Sequence, residues 1–331
     1  MTDDTTPIGP RRPPPDESSG TTASGRGRRI EPGSEWFWPV INLVGLIVVV
    51  AVNVLANVVP FNGQSTGEVI SQDPIYFQPA GWTFTIWSLI YLLLLAFIVY
   101  SLLPLGRGDW RMPRIGPLFL VANVANIIWL FVWHYEQWWL SLIVMAVLLV
   151  ALALIYAQLR RTRRDHPPGT AERLMVWTPF SVYLGWIAVA FVANVSVWRD
   201  RTGSDVLGVS SRWWAVLMIL LLLAVTALMA FWQRDPAFTI VVVWAFGGIG
   251  AEQWDRSLLV AFSAIIAALL AVVLAIVASL VAFEQRAIST GLPQSVPPNY
   301  RSARLLRKGD PEPPVPESRE GDKTSDSSNS G

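Results

Sequence analysis

Between Trp36 and Phe283 the chain is a succession of apolar runs, each close to the length of a membrane-crossing helix and joined by short polar connections. The runs fall at about Trp36 to Val59, Ala80 to Leu103, Ile115 to Trp133, Trp138 to Leu159, Leu174 to Trp198, Trp213 to Trp232, Pro236 to Gly250 and Leu258 to Phe283. A bilayer core of about 30 Å takes roughly 20 apolar residues of helix, and a helix satisfies its own backbone where lipid cannot. The pattern therefore predicts an all-α integral membrane protein. Composition agrees: 53% of residues are apolar, 15% are charged, and the mean hydropathy is +0.43. The seventh run is the weakest, because it is short and ends in Gly247, Gly248 and Gly250, so a broken or re-entrant segment is the alternative to a full span.

Orientation follows from arginine and lysine in the connections. With eight spans and a cytoplasmic N-terminus, 21 of the 25 basic residues fall inside and 4, namely Arg199, Arg201, Arg212 and Arg256, fall outside. That split predicts a plasma-membrane protein with both termini cytoplasmic. Residues 1–35 and 287–331 are rich in Pro, Ser and charge and are expected to be disordered tails. The first 35 residues carry no apolar segment of the signal-peptide kind, so the first span is expected to direct insertion. The basic run RRTRRDH, Arg160 to His166, fits a cytoplasmic loop touching anionic lipid, and nucleic acid is not an expected partner. The chain has no cysteine, which excludes disulfides and thiolate sites. Its two histidines, His134 and His166, lie at or beyond helix ends, which argues against a buried histidine metal site.

Of the 17 tryptophans, Trp36, Trp38, Trp82, Trp133, Trp138, Trp139, Trp177, Trp198, Trp213, Trp214, Trp232 and Trp254 lie at expected helix ends, where the ring prefers the headgroup level. Trp87, Trp129, Trp186 and Trp244 lie within spans, where the indole N–H needs a partner that lipid does not supply. Asparagine is costly there too. Asn42, Asn53 and Asn57 fall within about 60° of one another on the first span. Asn123, Asn126 and Trp129 share a face of the third, and Tyr183 and Asn194 align on the fifth beside Trp186. In the inferred orientation Asn53, Asn57, Trp82, Trp87, Asn126, Trp129 and Asn194 all fall in the outer half of the bilayer. Their convergence predicts a pocket for a flat, largely apolar ligand.

The segment YLGWIAVAFVANVSVWRD, Tyr183 to Asp200, resembles the last helix of the translocator protein and tryptophan-rich sensory protein family. Pro79, Trp82, Trp87 and Tyr91 resemble that family's second helix, and Asn126 with Trp129 its third. The resemblance covers residues 36–200. It implies a five-helix bundle whose cavity takes tetrapyrroles, sterols and synthetic aromatic ligands, with residues 201–286 adding three membrane helices. Departures are visible: Ala80 replaces the second proline of a Pro-Pro pair, Trp82 and Trp87 are five rather than six residues apart, and Val195 stands where a sterol-associated Tyr is usual.

The resulting expectation is a receptor or carrier, not an enzyme, for a hydrophobic aromatic ligand of tetrapyrrole type. Trp82, Trp87, Trp129 and Trp186 would stack on the ligand, with Tyr91 beside them. Asn53, Asn57, Asn126, Tyr183 and Asn194 would supply polar contacts. Membrane lipid and the ligand are the expected partners, with a homodimer open to it. Two alternatives remain. One is a secondary transporter of a small solute, suggested by the glycine-ended seventh span with Glu252 and Asp255 beyond it; the other is light-dependent degradation of a bound porphyrin.

Overall fold

In the computed structural model, residues 34–289 are described apart from 60, 65, 67, 72–74, 105, 108, 110, 163–167 and 205–207. The outer parts of both expected tails, and His166 with most of the RRTRRDH run, lie outside the described residues. Eight long helices follow: α1 (Ser34–Val58), α2 (Ile86–Leu102), α3 (Met112–His134), α4 (Trp138–Thr162), α5 (Thr178–Arg201), α6 (Ser211–Leu228), α7 (Pro236–Gln253) and α8 (Leu258–Ser289). The protein is an all-α, multi-pass membrane protein: seven helical segments, all but the one containing α7, are long and apolar enough to cross a bilayer. The ends of α1 and α8 overrun by a few residues the boundaries expected for the tails.

Helix starts are written locally. Pro113, Pro179 and Pro236 sit in the first turns of α3, α5 and α7, where the missing N–H costs nothing. Asp235 caps α7, its Oδ1 accepting from the amides of Ala237 at 3.1 Å and Phe238 at 3.2 Å. Helix α7 is a continuous helix of 18 residues, about 27 Å long. Its backbone is unbroken, with Gly248 and Gly250 packed against neighbours and Gly247 open, yet it is not among the segments long and apolar enough to cross a bilayer.

The first five helices close a ring. Helix α1 packs on α2 and α3, α3 on α4, α4 on α5, and α5 on α2. Small residues set the close approaches, and a Cβ at Gly116 of α3 would lie 2.6 Å from the ring of Trp38 on α1. Outside the ring, α6 and α7 pack on α5 and on each other. The chain divides into two units, residues 1–275 and 276–331, and the described part of the second continues α8 to Ser289.

The expected second span is not helical in one style. Residues Gly81–Thr85 form a 3-10 turn ahead of α2. The amide of Thr83 donates to the Ala80 carbonyl at 2.9 Å, and the Thr85 hydroxyl to the Trp82 carbonyl at 2.8 Å. Both reach back three residues, the 3-10 spacing.

At the end of the bundle that holds the N-termini of α3 and α5, buried charge is paired. Asp235 Oδ2 accepts from Arg160 Nη2 at 2.8 Å, Tyr156 at 2.8 Å and Ser181 at 2.5 Å, joining α4, α5 and the start of α7. Arg111 pairs with Asp109 at 2.6 Å and with Glu172. Burial works against its charge, but the hydrogen bonds to both carboxylates prevail and raise its pKa above the ordinary arginine value.

Candidate functional site

The opposite end of the ring holds the convergence of amides and aromatic rings. Asn53 Nδ2 of α1 donates to Asn126 Oδ1 of α3 at 3.1 Å, and Asn126 Nδ2 donates to the Tyr183 hydroxyl of α5 at 3.2 Å. Three helices are thus tied by one chain of side-chain hydrogen bonds. Asn57 is exposed and turns back to the Asn53 carbonyl at 2.8 Å, so it belongs to α1 alone. Helix α2 enters through Trp87, whose ring lies 6.0 Å from Tyr183 and 6.4 Å from Trp186 and stacks on Tyr91 at 5.6 Å.

Above this layer is a small pocket, open at its mouth. Aromatic walls come from Phe84, Trp87, Trp129, Trp133 and Trp186, and smaller surfaces from Pro79, Val189, Ala190 and Ala193. Polar groups are few: Thr66 from the connection between α1 and α2, and Asn194 from α5. Asn194 is held by Ser141 of α4, whose hydroxyl donates to its Oδ1 at 2.7 Å. None of the lining residues is charged. The lining is that of a small-molecule site, with an apolar body and a few fixed polar groups.

Two further polar groups, on lining tryptophans, are unspent. Trp129 and Trp186 are 7% and 2% exposed, and neither indole N–H has a hydrogen-bond partner among the described residues. A buried N–H left unpaired costs about 1 to 3 kcal/mol. A ligand with an acceptor at the right place recovers that cost, as does water.

Of the expected site residues, Trp87, Trp129, Trp186 and Asn194 line the pocket. Asn53, Asn126, Tyr183 and Tyr91 lie beside or beneath it as support, and the Tyr91 hydroxyl is buried with no partner among the described residues. Trp82 lies outside the lining: it is 47% exposed and meets Trp244 of α7 edge-on at 4.7 Å. A 3-10 turn advances 120° per residue rather than 100°, so Trp82 and Trp87 diverge further than one α-helix would place them.

Some residues were missed or misassigned from sequence. Trp133 was assigned to the interface belt, yet it is buried, stacks on Trp129 at 5.5 Å, and donates its N–H to the Thr66 carbonyl at 3.3 Å. Trp214, also assigned to the belt, is buried and donates to Ser196 at 3.1 Å. In both cases position at a helix end says nothing about which way the ring turns. Trp244, whose indole N–H needs a protein partner within its span, finds one in the Thr83 carbonyl at 3.0 Å. His134 is fully buried under the connection that carries Thr66, with Nδ1 2.6 Å from the Leu130 carbonyl and Nε2 3.4 Å from Thr66 Oγ1. Among the described residues no three of His, Cys, Asp and Glu gather closely enough to hold a metal ion.

Comparison with known families decides the relationship that the fifth helix suggests. The model of the family described as TSPO-like protein matches residues 39–277, well over half of the chain. The chain belongs to the TSPO-like family. The match runs past the five-helix ring through α6 and α7 and into α8, so the C-terminal helices fall within the family's extent as well. No curated protein and no solved structure gives a significant match. For this TSPO-like chain the pocket stands between α2, α3 and α5, inside the ring that residues 36–200 were expected to form.

Proposed function

We propose that the protein binds a flat, hydrophobic aromatic ligand of tetrapyrrole type in the pocket between α2, α3 and α5, and senses or carries it. The observation that supports this most is the lining itself, in which the rings of Trp87, Trp129 and Trp186 stand around an otherwise apolar pocket and the indole N–H groups of Trp129 and Trp186 are buried with no partner among the described residues. Aromatic faces give stacking area, and the two N–H groups with Asn194 give direction. With no charged residue in the lining, ionised side groups of such a ligand stay at the mouth.

In this proposal the protein sits in the plasma membrane with both termini cytoplasmic and the pocket in the outer half of the bilayer. The split of basic residues supports that orientation. The pairing of Arg160 at the end of α4 with Asp235 at the start of α7 fits an alternating eight-span arrangement, in which both ends share one side, and is neutral as to which side that is.

Titration of the purified protein with protoporphyrin, followed by tryptophan quenching, tests the proposal. Saturable quenching is expected. Replacing Trp129 or Trp186 by Phe, which keeps a ring but removes the N–H, should weaken binding by about five-fold each, the equivalent of one hydrogen bond of about 1 kcal/mol. Undiminished affinity in the double variant argues for a different site.

A further inference from the structure

Helix α7 lies outside the five-helix ring, yet it makes a dense set of contacts with the segment that carries one wall of the pocket. The Ala80 amide donates to the Gly248 carbonyl at 3.0 Å, and the Trp244 indole N–H donates to the Thr83 carbonyl at 3.0 Å. The Trp82 ring meets that of Trp244 edge-on. One helical turn further, Gln253 Nε2 donates to the Ile75 carbonyl at 3.3 Å. Backbone approaches helix this closely because residue 248 has no side chain. A Cβ there would stand 2.1 Å from Thr83 Cγ2 and 3.3 Å from Pro79 Cβ.

Pro79 just before this turn and Phe84 within it line the pocket, and Trp87 follows three residues after Phe84. The 3-10 turn is short and is a poor structure to leave without support. Four of its residues or neighbours, Ile75, Ala80, Trp82 and Thr83, find partners on α7.

We infer that α7 is a positioning element of the pocket: through Trp244 and Gly248 it holds the Pro79–Thr85 wall from behind and so sets the width of a site that neither residue lines. The C-terminal helices are then a built-in part of the site rather than an appendage to the ring. This rests on the proposed function above for its ligand, though not for its geometry.

Two neighbouring glycines allow a controlled test. A Cβ at Gly247 meets nothing within 4 Å, so Gly247→Ala changes the helix without touching the turn. Gly248→Ala presses Thr83 and Pro79 toward the pocket, and Thr83→Ser removes the methyl that it strikes while keeping the hydroxyl. Two readouts are taken on the full chain: affinity for protoporphyrin, and the rate at which N-ethylmaleimide modifies Ala193→Cys, a single pocket-lining thiol in a chain with no cysteine of its own.

Gly248→Ala should weaken protoporphyrin binding and slow alkylation by about ten-fold, the scale of an overpacked contact. Gly247→Ala should leave both at wild-type values, and adding Thr83→Ser to Gly248→Ala should restore most of the loss. Equal behaviour of the two glycine variants overturns the inference, as does failure of Thr83→Ser to restore anything. If the unmodified protein does not bind protoporphyrin, the ligand proposal fails while the alkylation series still decides the role of α7. Should Gly248→Ala fail to fold, Trp244→Phe replaces it, keeping the ring against Trp82 but losing the N–H. A loss of about three-fold in both readouts supports the inference, and wild-type values refute it.

Discussion

Asn126 gives its amide hydrogen to the hydroxyl of Tyr183 at 3.2 Å while its own Oδ1 accepts from Asn53, so one side chain on α3 bridges α1 and α5. In lipid such bonds are worth about 0.6 to 2 kcal/mol, because the separated helices find other partners. Their use here is to fix the floor beneath Trp87 and Trp186.

That bridge predicts a coupling. Asn126→Ala and Tyr183→Phe should each lower stability, and a double-mutant cycle by thermal unfolding in detergent should give an interaction of about 1 kcal/mol. Strictly additive losses would show that the bond does not form.

A second prediction concerns the charged staple. Asparagine is as good a helix cap as aspartate, so Asp235→Asn keeps the start of α7 but removes the carboxylate that Arg160, Tyr156 and Ser181 share. Breaking a buried pair costs about 3 to 5 kcal/mol, which should appear as a large fall in melting temperature. Changing Arg160 to Met in the same chain should recover part of it, since no cation is then left stranded. A fall no larger than that of an exposed substitution such as Ile240→Ala would mean the pair carries no stability.

The orientation is checked with single cysteines, because the chain has none of its own. Gln137, between α3 and α4, and Gly169, just before the segment of α5, are both exposed. A membrane-impermeant maleimide added to intact cells should label Gln137→Cys and spare Gly169→Cys until the cells are opened. The reverse pattern inverts the topology and puts the pocket in the inner half.

Much of this was legible in the residues. Seven of the eight apolar runs form helical segments long and apolar enough to cross a bilayer, because lipid permits little else, and Asn126, Tyr183, Trp87 and Trp186 stand out because polar atoms and indoles within a span demand company. The 3-10 turn at Gly81–Thr85 was hidden, since an apolar run looks the same whichever helix type it adopts. Trp133 was hidden by its place at a helix end, where rings facing lipid and rings facing protein share one sequence pattern. Ser141 drew no notice because a serine within a helix commonly satisfies itself on its own backbone, yet here it holds Asn194 across α4 and α5. The hold of α7 on the pocket wall joins residues more than 160 positions apart, and no local pattern carries it.

The central claim is that the space between α2, α3 and α5 is a ligand site. A cryo-electron microscopy map of the protein purified with its native lipids and saturated with protoporphyrin tests it most directly. The account predicts planar density against Trp87, Trp129 and Trp186, with an acceptor near at least one of the two unpaired indole N–H groups. An empty pocket beside ligand density on the outer surface of α6, α7 or α8 would contradict it.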